Sequence, residues 1–352
     1  MKAIILTGGL GTRLRPLTAG LPKPVLPVVN RPFLEHQLSD LRRQGVREVL
    51  LATGYRPAAF EAAFGNGRRL GLRLHYAHET RPLGTGGAVR HAAAFFKGTT
   101  LVLNGDVLQR LDLAAFKRRH AASRAEATIA LTRVSDPTQF GLVETTRNGR
   151  VKRFLEKPSP EEITCDMVNA GAYLFEPSVL DLIPAGVLYS LERGLFPEML
   201  KRGHALGSWV SNGYWLDIGT LDKYLQAHVD GLAGAWPLPL DGLHRRGPFL
   251  LAPGATLAPR VTHDGPGRVL VGPGGAVGPG ARFAGSVCLG ADVRVGAGAA
   301  LSDCVVLEGT AVGADARLER CIVGRRCRIG AGALVGPGRA LGDGSVLTAF
   351  SR

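Results

Sequence analysis

Between Val271 and Leu347 an apolar residue returns every six positions, a period that leaves few folds open. One series runs Val271, Val277, Phe283, Leu289, Val295, Leu301. A second, displaced by one, runs Val306, Val312, Leu318, and a third, displaced again, runs Val323, Ile329, Val335, Leu341, Leu347. Glycine follows several of them, as at Gly278, Gly296, Gly313, Gly330 and Gly336. Six is the repeat of a parallel β-helix, in which each apolar side chain points into a narrow prism and small residues turn the corners. With three hexads per turn, about 80 residues make between four and five coils. The expectation for residues 265–352 is a left-handed hexapeptide-repeat β-helix, preceded by a stretch rich in Gly, Pro and Leu (231–264) that serves as linker and start of the helix.

Residues 1–230 follow another rhythm. Ala3 to Leu6, Glu48 to Ala52, Leu72 to Tyr76, Thr100 to Leu103 and Thr128 to Leu131 read as strands. Between them, Phe33 to Gln44 places Leu34, Leu38 and Leu41 on one helical stripe that stops at Gly45, and a second helix starts near Thr85, with Ala88, Val89, Ala92, Ala93 and Phe96 on one face. Alternating strand and helix predicts an α/β domain, Rossmann-like, with a mostly parallel sheet whose ligands gather at the carboxyl ends of the strands.

Composition narrows the functional classes. The formal charge is +14, carried by 35 arginines and eight lysines, with no lysine beyond Lys223. The arginines are scattered, and only 6% of residues are aromatic, which argues against a nucleic-acid partner; nucleotides and sugar phosphates fit the charge better. No apolar run approaches the 18 residues of a membrane span, and the chain enters a strand directly after Lys2, so no membrane partner and a cytoplasmic setting are expected. Five cysteines without a C-x-x-C pair fit that reducing compartment as buried small hydrophobes.

The chemistry begins at GGLGTRLRP, Gly8 to Pro16, directly off the first strand. Gly8, Gly9 and Gly11 let backbone N–H groups approach an anion, and Arg13, Arg15 and Lys23 supply charged donors. This is not a P-loop, which needs Gly-Lys-Ser/Thr, nor the dinucleotide fingerprint, which needs glycine at Leu14. A triphosphate calls for a cation, and two carboxylates stand at strand ends: Asp106 in Leu103-Asn104-Gly105-Asp106, and Asp217 in Trp215-Leu216-Asp217-Ile218-Gly219-Thr220. Each alone reads equally as a turn or capping acid; beside a phosphate loop they form a candidate Mg²⁺ pair. Lys157, before Pro158, is presented on a stiffened backbone. Near it in sequence, Gly141 and Asn169 interrupt short apolar runs, as suits a sheet approached by a polar ligand.

Taken in order, GGLGTRLRPLT with PKP, ETRPLGTGGA, LNGDV, FGLV, FLEKP, NAGAY and WLDIGT resemble the sugar-1-phosphate nucleotidyltransferases, and most of all the mannose-1-phosphate guanylyltransferases that carry a C-terminal hexapeptide β-helix. The resemblance spans nearly the whole chain. It implies that Gly8, Gly9, Gly11, Thr12 and Arg13 wrap the triphosphate, with Arg13 on the departing pyrophosphate. It implies further that Lys23 neutralises the reacting phosphates, Asp106 and Asp217 hold Mg²⁺, and Lys157 binds the sugar phosphate. Gly84 and Thr85 would lie against the base, and Gly141, Glu156 and Asn169 would line the sugar pocket. Thr7 stands where relatives often have a small apolar residue. The implied substrates are GTP and mannose 1-phosphate, with glucose 1-phosphate and dTTP or UTP, or heptose 1-phosphate, as alternatives. The flat coil faces and open final coil of the β-helix are natural contact surfaces, so a homo-oligomer formed through it is expected. Two rival functions remain in view: an acyltransferase, disfavoured because no histidine lies beyond His263, and a non-catalytic nucleotide-sugar sensor on the same fold.

Overall fold

The computed structural model describes residues 1–9 and 11–352; Leu10, inside the glycine motif, lies outside them. By internal packing the chain divides into two units, residues 1–9 with 34–215 and residues 11–33 with 216–352. It passes from one to the other inside GGLGTRLRP and again inside WLDIGT.

In the first unit, strands β1 (Ala3–Leu6), β2 (Glu48–Thr53), β3 (Arg73–His78) and β4 (Thr100–Asn104) are parallel neighbours in the order β3-β2-β1-β4. Their apolar composition fits strands covered on both faces, with Ile4, Ile5, Val49, Leu51 and Val102 buried. The sheet continues through β5 (Ala127–Arg133), β6 (Gly141–Thr145), β7 (Val151–Glu156), β8 (Met167–Phe175) and β9 (Leu206–Val210). The long β8 runs antiparallel to β4, β5 and β6, while β9 is parallel to β5. Helix α1 (Phe33–Arg43) buries Leu34, Leu38 and Leu41, as the stripe predicts, and stops before Gly45 at φ +89°. Helices α2 (Pro57–Phe64), α3 (Gly84–His91), α4 (Leu113–Ser123) and α5 (Phe196–Lys201) follow. The second predicted stripe is shorter than expected, because α3 gives way to a 3₁₀ turn at Ala93–Phe95 before the chain swings through Gly98 into β4. Val89, Ile129, Tyr173, Phe175, Phe196 and Met199 are fully buried in one cluster. Each large apolar side chain there contributes about 1.5–3 kcal/mol.

In the second unit, three ladders of short parallel strands rise side by side. One runs from Phe249–Leu251 through Val269–Val271, Val287–Leu289, Val305–Val306 and Ile322–Val323 to Ala340–Leu341. The second starts at Thr256–Leu257 and the third at Thr262–Asp264, so coil strands already occupy part of the predicted linker. The apolar series supplies the core, with Val271, Phe283, Leu289, Leu301, Val306, Leu318 and Val323 all buried.

The two displacements of the register have a physical cause. Phe283 pairs with Leu301, but Leu301 pairs with Leu318, a coil one residue shorter. The three-residue corner Gly285-Ser286-Val287, between Ala284 and Cys288, shrinks to two residues, Asp303-Cys304 and Arg320-Cys321, in the later coils, with Asp303 and Arg320 taking positive φ and the cysteines filling the corner inside.

Helix α6 (Leu221–Ala233), capped by Thr220 accepting the Lys223 N–H at 3.3 Å, belongs to this same unit. So does the segment 11–33. Its turn at Val29 and Asn30, both at positive φ, is fixed where Asn30 Nδ2 donates to Leu289 O at 2.7 Å and the Val29 N–H donates to His228 Nδ1 at 3.2 Å.

Candidate active site

In the first unit, the exits of β1 and β4 are held together. Gly105 N–H donates to Leu6 O at 2.8 Å, and a Cβ at Gly105 would lie 2.7 Å from that same oxygen, so a side chain there would force the strand ends apart. The half-buried Asp106 completes this turn, beside the residues that open the glycine motif. Thr7 is buried, and its hydroxyl donates to Ala52 O at 2.8 Å. That bond lets a buried threonine stand in this apolar strand exit, because it satisfies the side chain's one polar atom. At the exit of β3, Glu79 accepts the Leu83 N–H on Oε2 at 3.0 Å, and its Oε1 would be 3.7 Å from a Cβ on Gly8.

Further across the same sheet, Gly141 pairs with Glu156 at the open ends of β6 and β7. A Cβ at Gly141 would lie 2.6 Å from Phe154 Cζ and 3.0 Å from Glu156 Oε2. Burial, and after it the charge of Glu192, holds the Glu156 carboxyl above the usual carboxylate range. The exposed Lys157 follows at φ +55°, its N–H donating to Phe140 O at 2.9 Å. For a residue with a long side chain this backbone region costs about 1 kcal/mol or more, and such strain gathers at ligand sites.

Asn169 lies where the pairing of β8 with β5 slips, with Gly171 at φ +71°. Its Oδ1 accepts the Gly171 N–H at 2.9 Å and its Nδ2 donates to Tyr173 Oη at 2.8 Å. Tyr173 in turn donates to Glu192 Oε1 at 3.4 Å, while Glu192 Oε2 takes hydrogens from Thr85 at 2.7 Å and Ser190 at 2.8 Å. Burial, then the Glu192 charge, pushes the Tyr173 phenol well above its ordinary value, which keeps it a donor. Thr85 and Gly84 open α3, where the N–H groups of Gly86 and Gly87 meet Tyr189 O at 2.9 and 3.0 Å.

In the second unit, Gly11 at φ +63° makes the turn that lets Thr18 Oγ1 donate to its carbonyl at 2.8 Å; a Cβ there would lie 3.1 Å from that of Lys23. Thr12 and Arg13 follow, exposed, on a single 3₁₀ turn. Lys23, 7% exposed, sits in a second such turn stiffened by Pro24, and its Nζ lies 3.7 Å from Asp217 Oδ1. Arg13 joins them: a Cβ on Gly219 would lie 3.1 Å from Arg13 Nη2 and 3.3 Å from Asp217 Oδ2. Arg13, Lys23 and Asp217, far apart in sequence, therefore meet around Gly219.

The predicted residues thus fall into local groups. Arg13, Lys23 and Asp217 form one, Gly141 and Glu156 another, and Thr85 and Asn169 are joined through Tyr173 and Glu192. Sequence reasoning missed Glu192, and it quoted Tyr173 and Glu79 within motifs without assigning them. Among the described residues no three His, Cys, Asp or Glu side chains gather into a metal cage.

Comparison with known proteins gives this geometry a lineage. A family model described as "Nucleotidyl transferase" matches residues 2–233, and one described as "GMPPB C-terminal domain" matches 266–348. A mannose-1-phosphate guanylyltransferase of Mycobacterium tuberculosis is 40% identical over 322 residues, covering 91% of this chain and 83% of that protein. The mannose-1-phosphate guanylyltransferase catalytic subunit beta of Drosophila melanogaster is 35% identical, over 92% and 84% of the two chains. Among solved structures, HddC from Yersinia pseudotuberculosis complexed with GMP-PN aligns at a TM-score of 0.56 and 26% identity, over 64% of this chain and 97% of HddC. The chain belongs to the nucleotidyl transferase family, as an enzyme of the mannose-1-phosphate guanylyltransferase-like type with a β-helical C-terminal region.

Proposed function

We propose that this chain transfers the guanylyl group of GTP to mannose 1-phosphate, giving GDP-mannose and pyrophosphate. The observation that carries the reading is the Arg13–Lys23–Asp217 cluster, which brings together two cations and a carboxylate from the glycine motif, the PKP turn and WLDIGT. The acceptor phosphate oxygen is already an anionic nucleophile, so no general base is needed. What opposes reaction is repulsion between two polyanions, and fixed cations remove it.

In this reading the backbone of Gly8, Gly9, Gly11 and Thr12 wraps the triphosphate and Arg13 takes the leaving pyrophosphate. Lys23, buried and unable to wander, neutralises the reacting phosphates, while the exposed Lys157 reaches for the sugar phosphate. Gly84 and Thr85 lie against the base, and Gly141, Glu156 and Asn169 line the sugar pocket. Family members use a divalent cation, and the donor set here fits Mg²⁺: separate carboxylates on Asp106 and Asp217 rather than a cage, suited to an ion that takes one or two carboxylates plus phosphate oxygens. Bound there, Mg²⁺ would supply Lewis-acid charge to the phosphoryl oxygens.

The division of labour we propose is catalysis in 1–230, a linker and first coil in 231–264, and self-association through 265–352. Exposed Leu334, Val346 and Phe350 on the last coils support that self-association. Five free cysteines, four of them buried, support a cytoplasmic setting. Among the described residues no helix is long and apolar enough to cross a membrane. The test is a matrix of GTP, dTTP, UTP and ATP against mannose, glucose and heptose 1-phosphates with Mg²⁺. Pyrophosphate release greatest for GTP with mannose 1-phosphate is expected, and none from any pair would favour the sensor.

A further inference from the structure

Glu192 belongs to none of the motifs that carry the family resemblance, yet hydrogen bonds from three hydroxyls converge on it. It sits in a five-residue π turn, Leu191–Leu195, a local irregularity that recurs at functional sites. From its geometry we infer that Glu192 is the positioning residue of the acceptor-sugar pocket, orienting the Asn169 amide through Tyr173 and setting the field around Glu156. This inference rests on the guanylyltransferase reading for the identity of the pocket.

The direction of each hydrogen bond carries the argument. Gly171 N–H fills Asn169 Oδ1, Asn169 Nδ2 donates to Tyr173, and Tyr173 spends its one hydrogen on Glu192. Only a group that accepts from Tyr173 keeps that order, and with it the face Asn169 turns to a ligand. An ionised carboxylate is acceptor-only and takes Thr85, Ser190 and Tyr173 together. Glutamine has the same shape but one oxygen. Turned to keep that oxygen for Thr85 and Ser190, it sets an N–H against a Tyr173 hydroxyl that already receives a hydrogen from Asn169.

The second effect is electrostatic. Glu156 faces Glu192 and Arg193 on the π turn, Lys157 just past the end of its own strand and the Tyr173 hydroxyl on β8. Burial raises its ionisation first and the Glu192 charge second, while Lys157 and Arg193 oppose them. Removing the Glu192 charge lets Glu156 ionise at lower pH. If ionised Glu156 accepts sugar hydroxyls, the acid limb of the profile moves with it.

The experiment compares wild type, Glu192→Gln and Tyr173→Phe in the full chain with GTP, mannose 1-phosphate and Mg²⁺. For Glu192→Gln we expect KM for mannose 1-phosphate to rise about tenfold, the size of one charged hydrogen bond, with KM for GTP nearly unchanged and the acid limb moved to lower pH. Tyr173→Phe should raise the same KM but leave the limb in place, since the charge of Glu192 stays. Wild-type KM and limb in Glu192→Gln overturn the inference, as does a rise in both KM values together with a lowered melting temperature, which marks a merely structural role. A wild-type enzyme silent with every substrate pair fails the underlying reading instead.

Discussion

Along the β-helix each coil repeats the one beneath it. Val306, Val312 and Leu318 fill three faces of the prism, and Val323, Ile329 and Val335 fill them again one coil later. In the α/β unit the residues of interest sit where regularity stops: Lys157 at positive φ, Asn169 at a slipped register, Glu192 on a π turn. A repeated coil is stabilised by similar burial level after level, and the polar side chains it does bury, such as Thr310, are satisfied by the coil's own backbone. An irregular backbone leaves donors and acceptors that a side chain or a ligand must satisfy, which is what a binding site consists of. Repetition supports shape, and its interruption supports chemistry.

The contrast can be broken most decisively at Asp106. Asp106→Asn should cost about 10²–10³-fold in turnover while leaving the melting temperature nearly in place, as judged by pyrophosphate release and circular dichroism. Full turnover would reduce Asp106 to a turn residue. The β-helix should answer in the opposite currency. Leu318→Ala, at a side chain 1% exposed, should lower stability by about 2–5 kcal/mol in denaturant titration, with kcat per folded molecule unchanged.

Two matched glycine substitutions sharpen the same line. Gly219→Ala presses on Arg13 and Asp217 and should lower kcat about tenfold, a shift of about 1.4 kcal/mol in the barrier. Gly336→Ala, whose added methyl meets nothing within 4 Å, should leave kcat alone and raise stability by about 0.4–1 kcal/mol. The smallest effect is chemical. Burial pushes the Cys288 thiol up to about 12 and raises Cys327, while the hydrogen bond with Cys321, and burial after it, raises Cys304, so these cysteines stay protonated at pH 8. A disulfide-exchange reagent should therefore find Cys165 first and the coil cysteines only after unfolding; rapid labelling of Cys288 in folded protein would contradict this.

Much of the architecture is legible in the chain because periodicity is local. Leu34, Leu38 and Leu41 announce α1, and the six-residue series announces every coil. Even the two register slips are visible, though not their cause, the shortened corners at Asp303 and Arg320. The candidate site reads less completely. Arg13, Lys23 and Asp217 could be named from their motifs, but their meeting at Gly219 depends on packing between segments some 200 residues apart in sequence. Glu192 gave no signal, since its importance lies in which hydroxyls point at it. The paired faces of Asn169 and Tyr173 depend on a bulge that no alternation pattern encodes.

The placement of the segment 11–33 has a practical corollary. It carries Arg13 and Lys23, and its turn at Asn30 is pinned to the carbonyl of Leu289, deep in the coil stack, while α6 leans on the same stack through Ser286 Oγ donating to Val229 O. Cutting the gene after residue 230 would strip the anchor from the very arginine and lysine such a truncation aims to keep. Grafting a foreign tail would do the same unless it rebuilt an acceptor for Asn30. The repeat region is part of the scaffold of Arg13 and Lys23, and engineering that treats it as a detachable tag will lose their placement.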